Sequence, residues 1–201
     1  NDYVDAWYSF RNRDYETYLN SYLSSPRYQD LKGPNEKVIL ANTYCISGHF
    51  EEAIELYEER SAESIGSNQG SLKYPFEHRY GYALLKTNEK EKGEKILRSY
   101  LDTLKNSIDK NGLLSRTEYY DLAIVNGVLG NKKEAFKWLN LELSNINSYD
   151  KTQWLFGDNM IDPLREEPEY KAIINGILNN EQVISNLFHK KLKIYQKRGE
   201  L

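Results

Sequence analysis

The side chains that most often carry out chemistry are few in this chain and stand far apart. The three histidines, His49, His78 and His189, show no metal-ligand spacing such as HExxH, and the single cysteine, Cys45, has no CxxC mate. A single cysteine also excludes an internal disulfide. The histidines and the cysteine therefore predict neither a metal centre nor a cysteine-based catalytic site.

Three other segments match ligand-binding or catalytic motifs only in part. Residues 66–70 (GSNQG) lack the Lys-Ser/Thr that completes a phosphate loop, and residues 158–162 (DNMID) lack the Gly and terminal Glu of a calcium loop. The glutamates of residues 51–59 alternate with apolar residues, which favours the solvated face of a helix over paired catalytic carboxylates. We therefore expect no enzymatic activity, no cofactor and no metal.

Pairs of small residues recur along the chain at a spacing that suits crossing helices. The pairs, each twelve residues apart, are Ala41 with Ala53, Gly81 with Gly93, and Ala123 with Ala135. Two antiparallel helices approach closely where both carry a small side chain, while larger apolar residues fill the flanks. The intervening turns at residues 47–49, 87–89 and 129–131 contain Gly or Asn, which can adopt the left-handed conformation that ends a helix. The spacing predicts three antiparallel helix pairs.

These segments resemble the tetratricopeptide repeat family, whose helix-turn-helix unit recurs about every 34 residues. The intervals from Ala53 to Gly93 and from Gly93 to Ala135 are 40 and 42 residues, and longer second helices and linkers account for the excess. The resemblance implies an all-α fold, a right-handed α-solenoid of antiparallel helix pairs. The chain resembles the C-terminal repeat region of larger bacterial multidomain proteins.

The organisation predicted from these patterns has four parts. They are a degenerate helical pair or N-terminal cap at 1–31, three repeat-like pairs at 32–149, a capping segment at 150–178 and an amphipathic basic helix at 179–201. The capping segment carries an Asp-Pro-Leu-Arg step at residues 162–165 and a second proline at 168, and Pro163 and Pro168 are each expected to open a short helix. Leu164 and Tyr170 would then cover the apolar end of the last repeat.

The final helix is predicted to begin at Asn179, because Gln182 stands at the spacing of a capping box. Its basic residues suit the negative end of a helix dipole, and the helix can also dock on a partner chain or a further domain.

Charge and hydropathy exclude some partners. The net charge of −3 provides no basic field for duplex nucleic acid. No apolar stretch approaches the roughly 18 residues that a membrane span requires. A cytoplasmic and a periplasmic location fit the composition equally well.

The resemblance also nominates a binding surface, because the first helix of each tetratricopeptide pair lines a concave groove. The implied partner-binding residues are Asn42, Cys45, His78, Tyr82, Lys86, Tyr120 and Ile124. A peptide or protein partner would bond to Asn42 through its backbone and pack its side chains on Tyr82 and Tyr120. Each of these positions can instead pack against the neighbouring repeat.

A carboxylate clamp of the kind found in chaperone cofactors is not expected. Among the positions that match its basic and amide residues, only Arg79 is cationic, and Asp121 would repel a carboxylate.

The predicted function is that of a non-catalytic protein–protein interaction scaffold, as the C-terminal part of a larger bacterial protein. The alternative is a structural or oligomerisation module that packs against a catalytic, propeller or regulatory domain, or that self-associates through its C-terminal helix. A third hypothesis, an enzyme, would require His78 to converge with carboxylates in a deep pocket.

Overall fold

The helices of this protein follow one another along the chain as antiparallel pairs joined by short turns. The structure is a computed structural model that describes residues 2–26, 34–65, 76–111, 116–144 and 153–182. These residues form helices and turns and no strand, which confirms the predicted all-α class for the described part of the chain. The chain divides into two compact units, residues 1–163 and residues 164–201.

The helices of the first unit pair in chain order. Within the described residues they are α1 (Asp2–Arg11), α2 (Tyr15–Leu23), α3 (Pro34–Ile46), α4 (Phe50–Ile65), α5 (Glu77–Lys86), α6 (Lys90–Asn111), α7 (Arg116–Val128), α8 (Lys132–Ser144) and α9 (Gln153–Gly157). A 3₁₀-helix follows at Asn159–Leu164. The closest packing lies within the pairs α1/α2, α3/α4, α5/α6 and α7/α8, and the first helices α3, α5 and α7 also touch one another in sequence.

The small residues lie where the helices of a pair cross. A Cβ atom added to Gly93 would stand 2.6 Å from the carbonyl oxygen of Gly81, so the backbones of α5 and α6 are in direct contact. The predicted alanine pairs are fully buried, and so are the apolar residues that flank the crossings. These residues are Ala41, Ala53, Ala123, Ala135, Tyr57, Leu84, Leu97, Leu122 and Leu139.

The turns between paired helices follow the prediction at two places and differ at the third. Gly48 and Gly130 adopt the left-handed conformation, with φ of 83° and 81°. Asn88 does not adopt it. There Thr87 follows the last residue of α5, and its extended backbone, with the hydrogen bond from its hydroxyl to the carbonyl of Leu84 (3.1 Å), closes the helix without a left-handed residue.

The first pair packs mainly through aromatic residues. Phe10 of α1 and Tyr18 of α2 are buried against each other, with ring centroids 5.3 Å apart. Arg13 adopts the left-handed conformation after α1, and Asp14 caps α2 by accepting from the backbone N–H of Thr17. Residues 2–26 therefore contain a pair of helices, and the predicted boundary at residue 31 lies outside the described residues.

The second unit contains a helix that runs through residues 168–182. Pro168 occupies its first position as predicted, whereas Pro163 lies inside the 3₁₀-helix and does not open one. The helix predicted to begin at Asn179 does not begin there, because the helix that starts at Pro168 continues through Gly176 and Asn179 to residue 182. Leu164 and Tyr170 are buried, and their predicted role as a cover for the last repeat stays a prediction.

Several predicted features fall wholly or partly outside the described residues. They are the linker at 66–75, the end of the linker at 107–115, the start of the capping segment and the basic helix beyond residue 182. None of the helices formed by described residues combines the length and the apolar character that a membrane crossing requires.

Candidate functional site

The side of α3, α5 and α7 that carries Cys45, Arg79, Tyr82 and Tyr120 is here called the first-helix face. A short segment of the same chain, residues 153–163, lies against it and is held by side chains of α5 and α7 and by a main-chain carbonyl of α3. The segment consists of α9 and most of the 3₁₀-helix that follows it. The first-helix face is thus covered by the chain's own residues.

A buried ion pair joins the face to the segment. The Arg79 guanidinium donates to Asp158 through both terminal nitrogens, Nη1 to Oδ1 at 3.2 Å and Nη2 to Oδ2 at 2.7 Å. The Asp158 carboxylate also accepts from the backbone N–H of Met160 (2.9 Å) and from the Tyr120 hydroxyl (3.2 Å). Four donors therefore converge on one carboxylate, which offsets the desolvation of both charges.

The protonation states of this pair are fixed by its surroundings. Burial opposes ionisation of Asp158, but the Arg79 guanidinium more than compensates, so the pKa of the Asp158 carboxyl lies below its ordinary value. Burial likewise opposes the charge on Arg79, yet the Asp158 carboxylate raises the Arg79 pKa above its ordinary value. Both groups are charged across the physiological range.

A second group of contacts engages the main chain of the segment. The Tyr15 and Tyr82 hydroxyls donate to the carbonyl oxygens of Gly157 (2.9 Å) and Asn159 (3.2 Å). The Tyr120 hydroxyl, which has one proton, lies within hydrogen-bond distance of both the Trp154 carbonyl (3.3 Å) and the Asp158 carboxylate (3.2 Å). In return the Asn159 amide donates to the Cys45 carbonyl at 2.8 Å. The carbonyls at the end of a five-residue helix have few intrahelical donors, and these side chains add donors there; the Trp154 carbonyl also accepts from the Asp158 N–H at 3.0 Å.

The segment fits tightly against α1 at one glycine. A Cβ atom added to Gly157 would stand 2.5 Å from the carbonyl oxygen of Phe10 and 2.7 Å from its ring. The neighbouring Trp154 ring packs edge-on against Phe10 and Trp7, with centroids 5.1 and 5.8 Å away. The Arg79 guanidinium lies over the same indole, 5.5 Å from its centroid. Only a residue without a side chain fits at position 157.

The structure brings together some of the predicted groove residues and separates others. Cys45, Tyr82 and Tyr120 contact the 153–163 segment. Asn42 instead accepts a hydrogen bond from Tyr57 of α4 at 2.7 Å, and Ile124 is fully buried in the core.

The last two predicted groove residues lie apart from the segment's hydrogen bonds. Lys86 is exposed, and its ammonium lies 5.2 Å from the centroid of the Tyr82 ring. His78 is buried in the α5–α6–α7 region. The sequence predicts an open groove, whereas the structure shows a face closed by residues 153–163; partner binding at these positions stays a prediction.

His78 does converge with a carboxylate, as the enzyme hypothesis requires. Its Nε2 lies 3.9 Å from Oδ1 of Asp121, whose other oxygen accepts from the Tyr100 hydroxyl at 2.6 Å. Burial lowers the pKa of His78 despite Asp121, and its Nδ1 has no hydrogen-bond partner. The His78 and Asp121 side chains are only 8% and 10% exposed, so the pair lies within the fold and not in an open cleft.

Sequence reasoning missed the residues that organise this site, namely Arg79, Trp154, Asp158 and Asn159. One signal was present, because an arginine among apolar neighbours on a first helix demands a buried counter-charge. A second was the aspartate enclosed by apolar residues in WLFGDNMI. Joining the two requires knowing that residues 79 positions apart meet in space.

Within the described residues, no three His, Cys, Asp or Glu side chains are grouped so as to hold a metal ion. Comparison with known proteins found no match for the chain among family models, curated proteins or solved structures.

Proposed function

We propose that this protein is a non-catalytic protein–protein interaction scaffold, built as a right-handed solenoid of tetratricopeptide-like helix pairs. Its first-helix face binds a protein segment. The support for the fold is the succession of hairpins with small residues at the crossings, Gly81 with Gly93 above all. The support for the function is that the first-helix face already binds residues 153–163 of the same chain.

The observation that carries the proposal is the way in which the face binds residues 153–163. Tyr82 donates to a main-chain carbonyl and the Tyr120 hydroxyl lies within hydrogen-bond distance of another, contacts that do not depend on the side chains of the bound segment. The Arg79 guanidinium binds the Asp158 carboxylate, and aromatic residues such as Phe10 pack against the Trp154 ring. Backbone bonds that give affinity, combined with a few side-chain contacts that give specificity, are the features of peptide recognition.

Site-specific photo-crosslinking in cells that express the protein naturally tests this proposal. A photoreactive amino acid at Lys86, which is exposed beside Tyr82, should capture a discrete protein partner. The matched control is the same amino acid at Lys105, which is exposed on the second helix of the same pair. Equal capture from both positions, or capture from Lys105 alone, would contradict a partner site on the first-helix face.

One observation favours the alternative of a structural or oligomerisation module. Because the chain's own segment covers the first-helix face, contacts with a further domain or a second copy would use the remaining surfaces. Light scattering distinguishes the two functions. A self-associating chain should have a dimer mass that is lost when residues 180–201 are deleted, whereas a scaffold for other proteins should be monomeric in both forms.

A further inference from the structure

We infer that residues 153–163 are a ligand bound in cis, and that the first-helix face together with α1 selects partner segments with the pattern apolar–x–Gly–Asp–Asn–apolar–apolar. This inference rests on the proposed function, since it names the class of partner that the same face accepts. The pattern corresponds to Leu155 through Ile161 of the chain itself.

The pattern requires a glycine because the position of Gly157 leaves no room for a side chain. Gly157 lies so close to the backbone oxygen of Phe10 that a methyl group would overlap it at 2.5 Å. A backbone atom cannot move aside as the end of a flexible side chain can, so every larger residue is excluded at this position.

The aspartate is required by charge and length. Arg79 is buried with only 4% of its surface exposed, and it needs a carboxylate with both oxygens in reach of its two terminal nitrogens. An asparagine offers one acceptor oxygen and no charge, and would leave the guanidinium without its counter-ion. Glutamate is one methylene longer and would displace the carboxylate from the Tyr120 hydroxyl and the Met160 N–H.

The flanking residues supply burial, and Asn159 supplies a directional bond. Leu155, Met160 and Ile161 are almost completely buried, and the Asn159 amide bonds to the Cys45 carbonyl. Phe156 is only partly buried, and it is the position of the pattern that accepts variation. Three apolar side chains around a fixed charge make a peptide of this pattern a tight-binding class of ligand.

The same features explain why the face is closed in the isolated chain. A segment tethered in cis competes at an effective concentration on the order of millimolar or higher. A partner segment therefore has to displace residues 153–163, and changes that weaken their hold should open the face.

Peptide binding by full-length variants tests the inference. The probe is a fluorescein-labelled peptide with the sequence of residues 153–163. The protein that it is titrated with is the full-length Asp158→Asn variant, in which the binding of residues 153–163 in cis is weakened. We expect this chain to bind the probe about tenfold more tightly than the wild-type chain does, because a charged hydrogen bond to Arg79 is restored in trans. Control peptides that carry Asp158→Asn or Gly157→Ala should bind about tenfold more weakly than the probe.

A second variant and a second measurement test the inference if the Asp158→Asn variant does not fold. Trp154→Ala removes a half-buried ring while leaving the ion pair intact, and this chain should show the same order of peptide affinities. In the wild-type chain, an excess of isotopically heavy probe should raise deuterium uptake in residues 153–163 as they are displaced.

Two results would overturn the inference: a folded variant that binds all three peptides equally or not at all, and unchanged deuterium uptake in the wild-type chain. The segment would then be a permanent part of the core. Crosslinking from Lys86 reports on the proposed function separately, so the scaffold proposal survives if Lys86 captures a partner while the peptides fail.

Discussion

The helix crossings and the first-helix face are both buried, but different forces stabilise them. At the crossing of α5 and α6, Gly93 contacts the backbone of Gly81, and the contact is purely steric. On the first-helix face, Arg79 and Asp158 are held by opposite charge and by hydrogen bonds. A crossing of this kind tolerates no added atom, whereas the face tolerates no lost charge.

An ion pair on the exposed surface of α6 shows how much burial matters to the Arg79–Asp158 pair. Arg98 and Glu94 also form an ion pair, one turn apart, but their side chains are 58% and 48% exposed. Water solvates each of these charges whether or not they pair, so the pair adds little stability. Neither charge of the Arg79–Asp158 pair has this option, and each depends on the other.

The largest expected effect comes from removing one charge from the face. Asp158→Ala leaves the Arg79 guanidinium buried without a counter-ion, and we expect the free energy of unfolding to fall by about 3–5 kcal/mol. Urea denaturation followed by circular dichroism measures this loss.

Two further variants sharpen that result. Arg98→Ala breaks the exposed pair and should change the free energy of unfolding by no more than about 0.5 kcal/mol. The double variant Arg79→Met with Asp158→Leu removes both buried charges and should recover most of the loss. Equal effects of Asp158→Ala and Arg98→Ala would show that the buried pair is as well solvated as the exposed one.

An added methyl group at a crossing tests the steric region. Gly93→Ala places a Cβ atom against the backbone of Gly81, and we expect a loss of about 1–3 kcal/mol in the free energy of unfolding. Gly176→Ala is the matched control, because an added Cβ there meets nothing within 4 Å and should stabilise its helix by about 0.5–1 kcal/mol. Similar results for the two variants would remove the distinction between a close crossing and an open helix surface.

The smallest expected effect is the contribution of His78 to the pH dependence of the free energy of unfolding. The pKa of His78 is lowered by burial, so below its ordinary value of about 6.5 the unfolded chain binds more protons than the folded chain. The stability contributed by neutral His78 is therefore complete above about pH 6.5 and is lost as the pH falls towards the lowered pKa, by at most ~1.4 kcal/mol per pH unit.

His78→Gln should flatten this part of the stability profile, measured by urea denaturation at a series of pH values. His49→Gln, at an exposed histidine beside Glu52, is the matched control for the loss of an imidazole outside the core. An unaltered profile in the His78 variant would show that the buried imidazole takes no part in the acid response.

Much of the fold could be predicted from the sequence because it depends on neighbours along the chain. The crossing at Gly81 and Gly93, the left-handed turns at Gly48 and Gly130, and the exposed glutamates of α4 all follow from local periodicity and residue size. The exceptions are also local. Thr87 ends its helix with a side-chain bond that makes a left-handed Asn88 unnecessary, and Asn179 has a capping pattern inside a helix that has already begun.

The candidate site could be predicted only in part. The sequence placed Cys45, Tyr82 and Tyr120 on one face, because residues of the first helices share a side at helical spacing. It gave no indication that Asp158 and Asn159 would occupy that face. Their partners are 79 and 114 positions away along the chain, and no periodic pattern links residues at such separations.

The sequence alone determined where the helices pair, because small residues at a fixed spacing allow close approach only in that register. The tertiary structure alone decided what covers the first-helix face. That choice depends on a buried cation finding its counter-charge among distant residues, and on a glycine fitting against a backbone from another helix, conditions that exist only once the helices have packed.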